Sequence, residues 1–204
     1  MKTNTVTQDA LENLIHCIQH WAEAQTNPVI DLLDNHDLVT NIRYPEPALS
    51  CSNNLLRVFY HYHEQPFQFN DEHGHFHYFV KCTESKWSHV AGLCMDSQGQ
   101  PFRWFTVNHW VTGAKWLNSE TLVRKISLIP ANNEKDSPLQ LWLVSIFLVF
   151  KDIICKLLLE RDEKIKTLQN NNNLSISELH QNRDFYILSE HSFDLYTHLS
   201  QYLD

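Results

Sequence analysis

The runs Leu56-Arg57-Val58-Phe59-Tyr60-His61-Tyr62-His63 and His73-Gly74-His75-Phe76-His77-Tyr78-Phe79-Val80 decide the reading of this chain. Both are rich in strand-forming residues, and Pro66 and Asn70-Asp71 lie between them. They predict two antiparallel strands, over 55–63 and 74–82. Two more strands follow, over 88–95 and 102–111. Asp96-Ser97-Gln98-Gly99 joins them as a type I turn closed by glycine in the left-handed region. All four Gly of the protein lie at 74, 92, 99 and 113, and 14 of its 24 aromatics fall between Phe59 and Trp116. The middle of the chain is therefore its β part.

Helical patterns flank it. Leu11, Leu14, Ile15, Ile18, Trp21 and Ala22 recur at helical spacing within 8–26, and Asn27-Pro28 stops that helix and opens a short second one. Pro45 and Pro47 mark 41–54 as an extended connector. Ser137-Pro138-Leu139-Gln140 is a helix start, with a cap, a proline at the first position and a glutamine three after the cap. That helix should run to about 168, before a solvated linker at Asn170–Asn173. A short strand or helix near 184–188 and a last helix near 193–203 complete the chain. The expected fold class is α+β: a central antiparallel sheet, open or curled into a small barrel, flanked by N- and C-terminal helices. The 204 residues suit a single domain, 1–204, with a helical N-terminal part (1–54), a β core (55–130) and a helical C-terminal part (131–204).

Composition excludes several functions. The formal charge is −8, and segment 55–113 sets four Lys/Arg against five Asp/Glu, so no nucleic-acid partner is expected. Five Cys at irregular positions 17, 51, 82, 94 and 155, with no C-x-x-C, speak against a disulfide framework and a four-Cys zinc site. No apolar signal segment follows Met1, so a reducing cytoplasmic compartment is the expectation. The apolar run Leu141–Phe150 is too short to span a bilayer. It reads as a buried helix or as a homodimer interface through 138–168.

Histidine is the conspicuous residue. Protonating all 13 would carry the formal charge from −8 to +5. Five fall within 17 residues: His61, His63, His73, His75 and His77. Side chains alternate across a strand, so Phe59, His61 and His63 share one face, and His73, His75, His77 and Phe79 another. With 61 opposite 75, the register also sets 63 opposite 73 and 59 opposite 77, and both groups face one side. Two H-x-H pairs on neighbouring strands can converge on one mononuclear transition metal such as Zn, Fe or Ni. The candidate ligands are His61, His63, His75 and His77. Glu64, Glu72 and His73 are alternative ligands or orient the ligand rings. Gly74 would allow close backbone approach beside the site. The competing reading makes these rings half-buried aromatics with ordinary hydrogen bonds, or an anion site or pH switch without metal.

Other patterns fail. H-E-x-x-H, G-x-S-x-G, a Walker loop and a dinucleotide glycine fingerprint are absent. His73-Gly74-His75-Phe76-His77 superficially resembles the motif of histidine-triad nucleotide hydrolases, but Gly74 stands where that family has a hydrophobic residue. His61-Tyr62-His63 is similar to the H-x-H of cupins, yet Phe67 or Gln68 occupies the expected carboxylate position.

Arg43-Tyr44-Pro45-Glu46-Pro47, Glu72-His73-Gly74-His75-Phe76-His77 and Phe105-Thr106-Val107-Asn108-His109-Trp110-Val111-Thr112-Gly113 together resemble an uncharacterised bacterial family of unknown function. Arg183-Asp184 and Ile187-Leu188-Ser189 resemble its ending. The resemblance implies a bacterial, soluble, single-domain protein and no particular activity. Its pattern carries Arg where this chain has His109, which makes His109 a weaker site candidate.

On the fourth strand, Phe102, Trp104, Thr106, Asn108 and Trp110 share one face. Asn108 is a candidate ligand contact or a satisfied core amide. Arg57 and Arg103 could bind a carboxylate or phosphate in bidentate fashion, or pair with surface acids. Three functions stay open: a metal-dependent enzyme, a non-catalytic module binding a metal or small ligand, and a homo-oligomeric interaction protein with incidental histidines.

Overall fold

The computed structural model describes residues 5–34, 36–63, 71–132 and 134–202. In chain order the elements are α1 (Thr5–Glu23), α2 (Pro28–Leu33), β1 (Tyr44–Cys51), β2 (Leu56–His61), β3 (Gly74–Lys81), β4 (Trp87–Met95) and β5 (Pro101–Val107). Then follow α3 (His109–Thr112), α4 (Ser119–Ile126), α5 (Pro138–Val149), α6 (Lys151–Asn172), α7 (Ile176–Gln181), β6 (Ile187–Ser192) and α8 (Leu195–Ser200).

The protein is α+β. Among the described residues six strands form one antiparallel sheet in the order β1-β2-β3-β4-β5-β6. The sheet is open, not a barrel, because β1 and β6 stay at opposite edges. The expected connector at 41–54 contains edge strand β1. Pro45 and Pro47 fit there, since an edge strand can lack ladder donors.

One sheet face carries the main apolar core. Leu56, Val58 and Tyr60 of β2 and Phe76, Tyr78 and Val80 of β3 are buried there beside α1 and α5. Phe76 meets Trp142 with ring centres 6.0 Å apart, and Tyr78 stacks on Phe147 at 5.2 Å. Trp21 of α1 meets Trp142 edge-on at 5.7 Å. Burying side chains of this size contributes about 1.5–3 kcal/mol each.

Helix α5 starts where its capping signal lies: Ser137 and Gln140 form a reciprocal capping box, with Pro138 in the first turn. Nine of its residues are buried, so the apolar run is covered within this chain rather than left for a second copy. The expected helix to 168 breaks at Phe150 (φ −92°, ψ 11°). Neither Pro nor Gly causes the break. The wholly buried Phe150 ring packs on His198 at 4.0 Å and Phe193 at 4.3 Å, so tertiary packing sets the bend. The second helix runs through the expected Asn linker to Asn172, where left-handed Asn173 caps it. The segment near 184–188 becomes β6 and completes the sheet beside β5. Among the described residues no helix is long and apolar enough to cross a membrane.

Candidate metal centre

Strands β2 and β3 pair with His61 opposite His75 and Phe59 opposite His77, one of the registers that puts the histidines on a common face. Their odd-numbered residues therefore turn away from the apolar core. Three imidazole nitrogens meet: His61 Nε2 lies 2.8 Å from His75 Nε2, His75 Nε2 3.1 Å from His77 Nε2, and His77 Nε2 3.0 Å from His61 Nε2. Three nitrogens spaced so closely can all sit about 2.0–2.1 Å from one point roughly 1 Å off their plane. His61, His75 and His77 could thus hold a metal ion.

Each of two of these rings has a partner behind it. His75 Nδ1 donates to the Glu72 carboxylate, which also accepts from Cys94 Sγ at 3.4 Å. His75 Nε2 is then left with a lone pair. His77 Nδ1 lies 2.9 Å from His89 Nε2. A neutral His77 donating to His89 also turns its Nε2 lone pair inward. Burial and the neighbouring His75 and His63 hold His61 down to about 2. Burial and the surrounding imidazoles keep His77 well below its ordinary range, and burial with Arg161 holds His89 down to about 3. His61, His77 and His89 are thereby held toward their neutral forms. Two lone pairs 3.1 Å apart repel unless a hydrogen or a cation stands between them. One His61 N–H can serve one of them; a metal ion serves all three nitrogens at once.

The walls are aromatic. Phe105 sets its ring edge-on to His75, centres 5.3 Å apart. Gly92 makes room for it, because a Cβ there would lie 2.2 Å from the Phe105 ring. Phe59 contacts both His61 and His77, and stacks on Phe79 at 5.4 Å. Gly74 permits the close approach expected of it: an added Cβ would meet the Tyr60 hydroxyl at 2.5 Å. Half-buried His61 opens onto a cleft of about 820 Å³ whose lining also includes His77, while His75 and His77 are each only 1% exposed.

The other expected site residues divide. His63 lies past the end of β2, its ring 4.3 Å from His61, and donates through Nδ1 to Asn41 Oδ1 at 2.9 Å. The 63–73 pairing does not form, because β3 begins at Gly74. His73 leaves the histidine face and hydrogen-bonds the Tyr60 hydroxyl, 2.8 Å away. Glu72, even-numbered and on irregular backbone, reaches His75 instead. Glu64 lies outside the described residues. Arg57 borders the cleft with its guanidinium 4.2 Å from the Trp87 ring centre. Arg103 pairs with Glu190 at 3.3 Å.

The expected fourth strand, 102–111, ends at Val107. Asn108 is fully buried: its oxygen caps α3 and its amide donates to Leu179 O and Asn182 O. It is a satisfied core amide. The weaker candidate His109 lies beyond it on α3, stacked on His180 at 5.4 Å.

His89 escaped the parity argument. Residues 92 and 94 of β4 face the histidines, so unbroken alternation would send residue 89 to the core. A bulge between the 78–91 and 79–89 pairs reverses the phase. Adjacent Val90 and Ala91 both enter the core, and His89 swings to His77. An isolated His in a strand gave no sign of that slip.

No curated protein and no solved structure matches the chain. The family model described as Domain of unknown function (DUF6969) matches residues 8–193, almost the whole chain. The motifs around the histidine centre and the buried Asn108 thus sit inside a family's common body, and this chain belongs to the DUF6969 family.

Proposed function

We propose that this protein binds one divalent transition-metal ion, such as Zn²⁺, Fe²⁺ or Ni²⁺, through the Nε2 atoms of His61, His75 and His77. The observation that carries the reading is the triangle of three imidazole nitrogens no more than 3.1 Å apart, with Glu72 behind His75 and His89 behind His77. Neutral imidazoles suit these metals, and a carboxylate behind a ligating histidine raises its basicity. Three protein ligands leave at least one coordination position open, as in sites where a metal activates water or engages a substrate. The cleft against His61 and His77 supplies the access such a position needs. The interaction-protein reading is weaker, because its apolar helix is already covered by this chain.

Elemental analysis tests the proposal. Wild-type protein, purified without chelator and dialysed against each metal in turn, should hold close to one equivalent of one of them. The His61→Ala/His75→Ala double variant should hold close to none while keeping its far-ultraviolet circular dichroism. Equal metal in both proteins, or none in the wild type, overturns the assignment.

A further inference from the structure

The cleft beside the histidines has a charge unlike the rest of the protein. Its lining carries Arg43, Arg57, Lys86 and Lys115, and Glu46 is the only carboxylate among the described lining residues. The whole chain, by contrast, has a formal charge of −8. None of the ion pairs among the described residues uses any of these four cations. Four cations set around a single acid repel one another, and an anion between them relieves that repulsion.

Aromatic rings position the two guanidiniums. Arg57 lies over Trp87 at 4.2 Å and Arg43 over Phe59 at 4.8 Å. Stacking keeps a guanidinium's edge N–H groups available, so each arginine is oriented before a ligand arrives. Arg57 Nε is buried and has no hydrogen-bond partner among the described residues. Phe59 and Phe79, 6% and 7% exposed, both line this cleft and give it an apolar stretch of wall next to His61 and His77. A volume of about 820 Å³ is within the range of small-molecule sites.

The geometry points to a binding site for a small anionic molecule with an aromatic or flat apolar body. Arg43 and Arg57 hold its carboxylate or phosphate head, and its body lies on Phe59 and Phe79 against the histidine centre. The site's place beside a metal rests on the reading given above. Anion capture by the arginines does not need the metal, so the two assignments can fail separately.

Isothermal titration calorimetry in phosphate-free buffer tests it, on metal-free wild type and on the His75→Ala variant, whose altered residue lies under the cleft rather than in its lining. The probes are phenyl phosphate, benzoate, inorganic phosphate and phenol. Phenyl phosphate or benzoate should bind both proteins, and the tighter of the two identifies the head group. Phenol, which lacks the charge, and inorganic phosphate, which lacks the ring, should each bind more weakly. Arg43→Gln and Arg57→Gln should each weaken the better anion by about 10- to 100-fold, the worth of a charge-assisted hydrogen bond. Arg43 is exposed, so its variant keeps the test valid should Arg57→Gln disturb folding. Binding by neither aromatic anion, affinity unchanged in both arginine variants, or phenol binding as tightly as the better anion overturns the proposal.

Discussion

Strand β3 shows two kinds of chemistry across the thickness of one backbone. Its even residues Phe76, Tyr78 and Val80 enter a core shared with Trp142 and Phe147, where shape and buried area decide the energy. Its odd residues His75 and His77 enter a polar centre whose hydrogen bonds reach Glu72 and His89. The same pairing with β2 builds both. The core face tolerates chemical similarity and resists changes of volume. The histidine face depends on where individual nitrogens point and on which of them carries a hydrogen. Stability and site chemistry can therefore be altered separately.

The largest expected effect lies on the core face. Phe76→Ala removes a wholly buried ring that touches Tyr60 at 4.8 Å and Trp142 at 6.0 Å. It should cost about 3–5 kcal/mol in urea unfolding. Metal bound per folded chain should not change; a loss of metal in the folded fraction would show that the two faces are not separable.

A smaller effect is expected behind the metal. Glu72→Gln keeps the size of the side chain but loses the carboxylate that accepts from His75 Nδ1. Competition with a chromophoric chelator should show a 10- to 100-fold weaker metal affinity. Unchanged affinity would mean that the carboxylate does not set the His75 tautomer.

The smallest concerns a histidine far from the cleft. His198 stacks on Phe150, and burial holds its imidazole below the ordinary value of 6.5. A depressed folded value means that the unfolded chain binds this proton first. Its contribution to stability is then present above about pH 6.5 and is lost as the pH falls below it. Denaturation midpoints measured from pH 7.5 down to pH 5 should fall more steeply for wild type than for His198→Gln. Parallel slopes would remove His198 as a source of acid sensitivity and leave the histidine face to account for it.

Much of this was legible in residues 56–80. Parity alone placed His61, His75 and His77 on one face, because alternation is a property of extended backbone whatever the strand packs against; which residues stand opposite one another it left open. The helix start at Ser137 was equally local, written in its cap and proline. Elsewhere local pattern was not enough. Val107 ends β5 because Asn108 turns its amide into α7, sequence-distant backbone that no window around it contains. The proline-marked connector became β1 because Leu56–Tyr60 offered it a free edge. His73, one residue before β3, left its parity group for the Tyr60 hydroxyl, because alternation does not hold outside the strand.

By itself, then, the amino-acid sequence determined an antiparallel pair with three of its imidazoles on one side, since side-chain alternation needs no knowledge of neighbours. Tertiary structure alone decided that the sheet stays open, that a one-residue bulge brings His89 behind His77, and that Arg43 and Arg57 stand over the same cleft. Those outcomes depend on contacts between segments remote in the chain, and such contacts form only where competing packings have been resolved for the molecule as a whole.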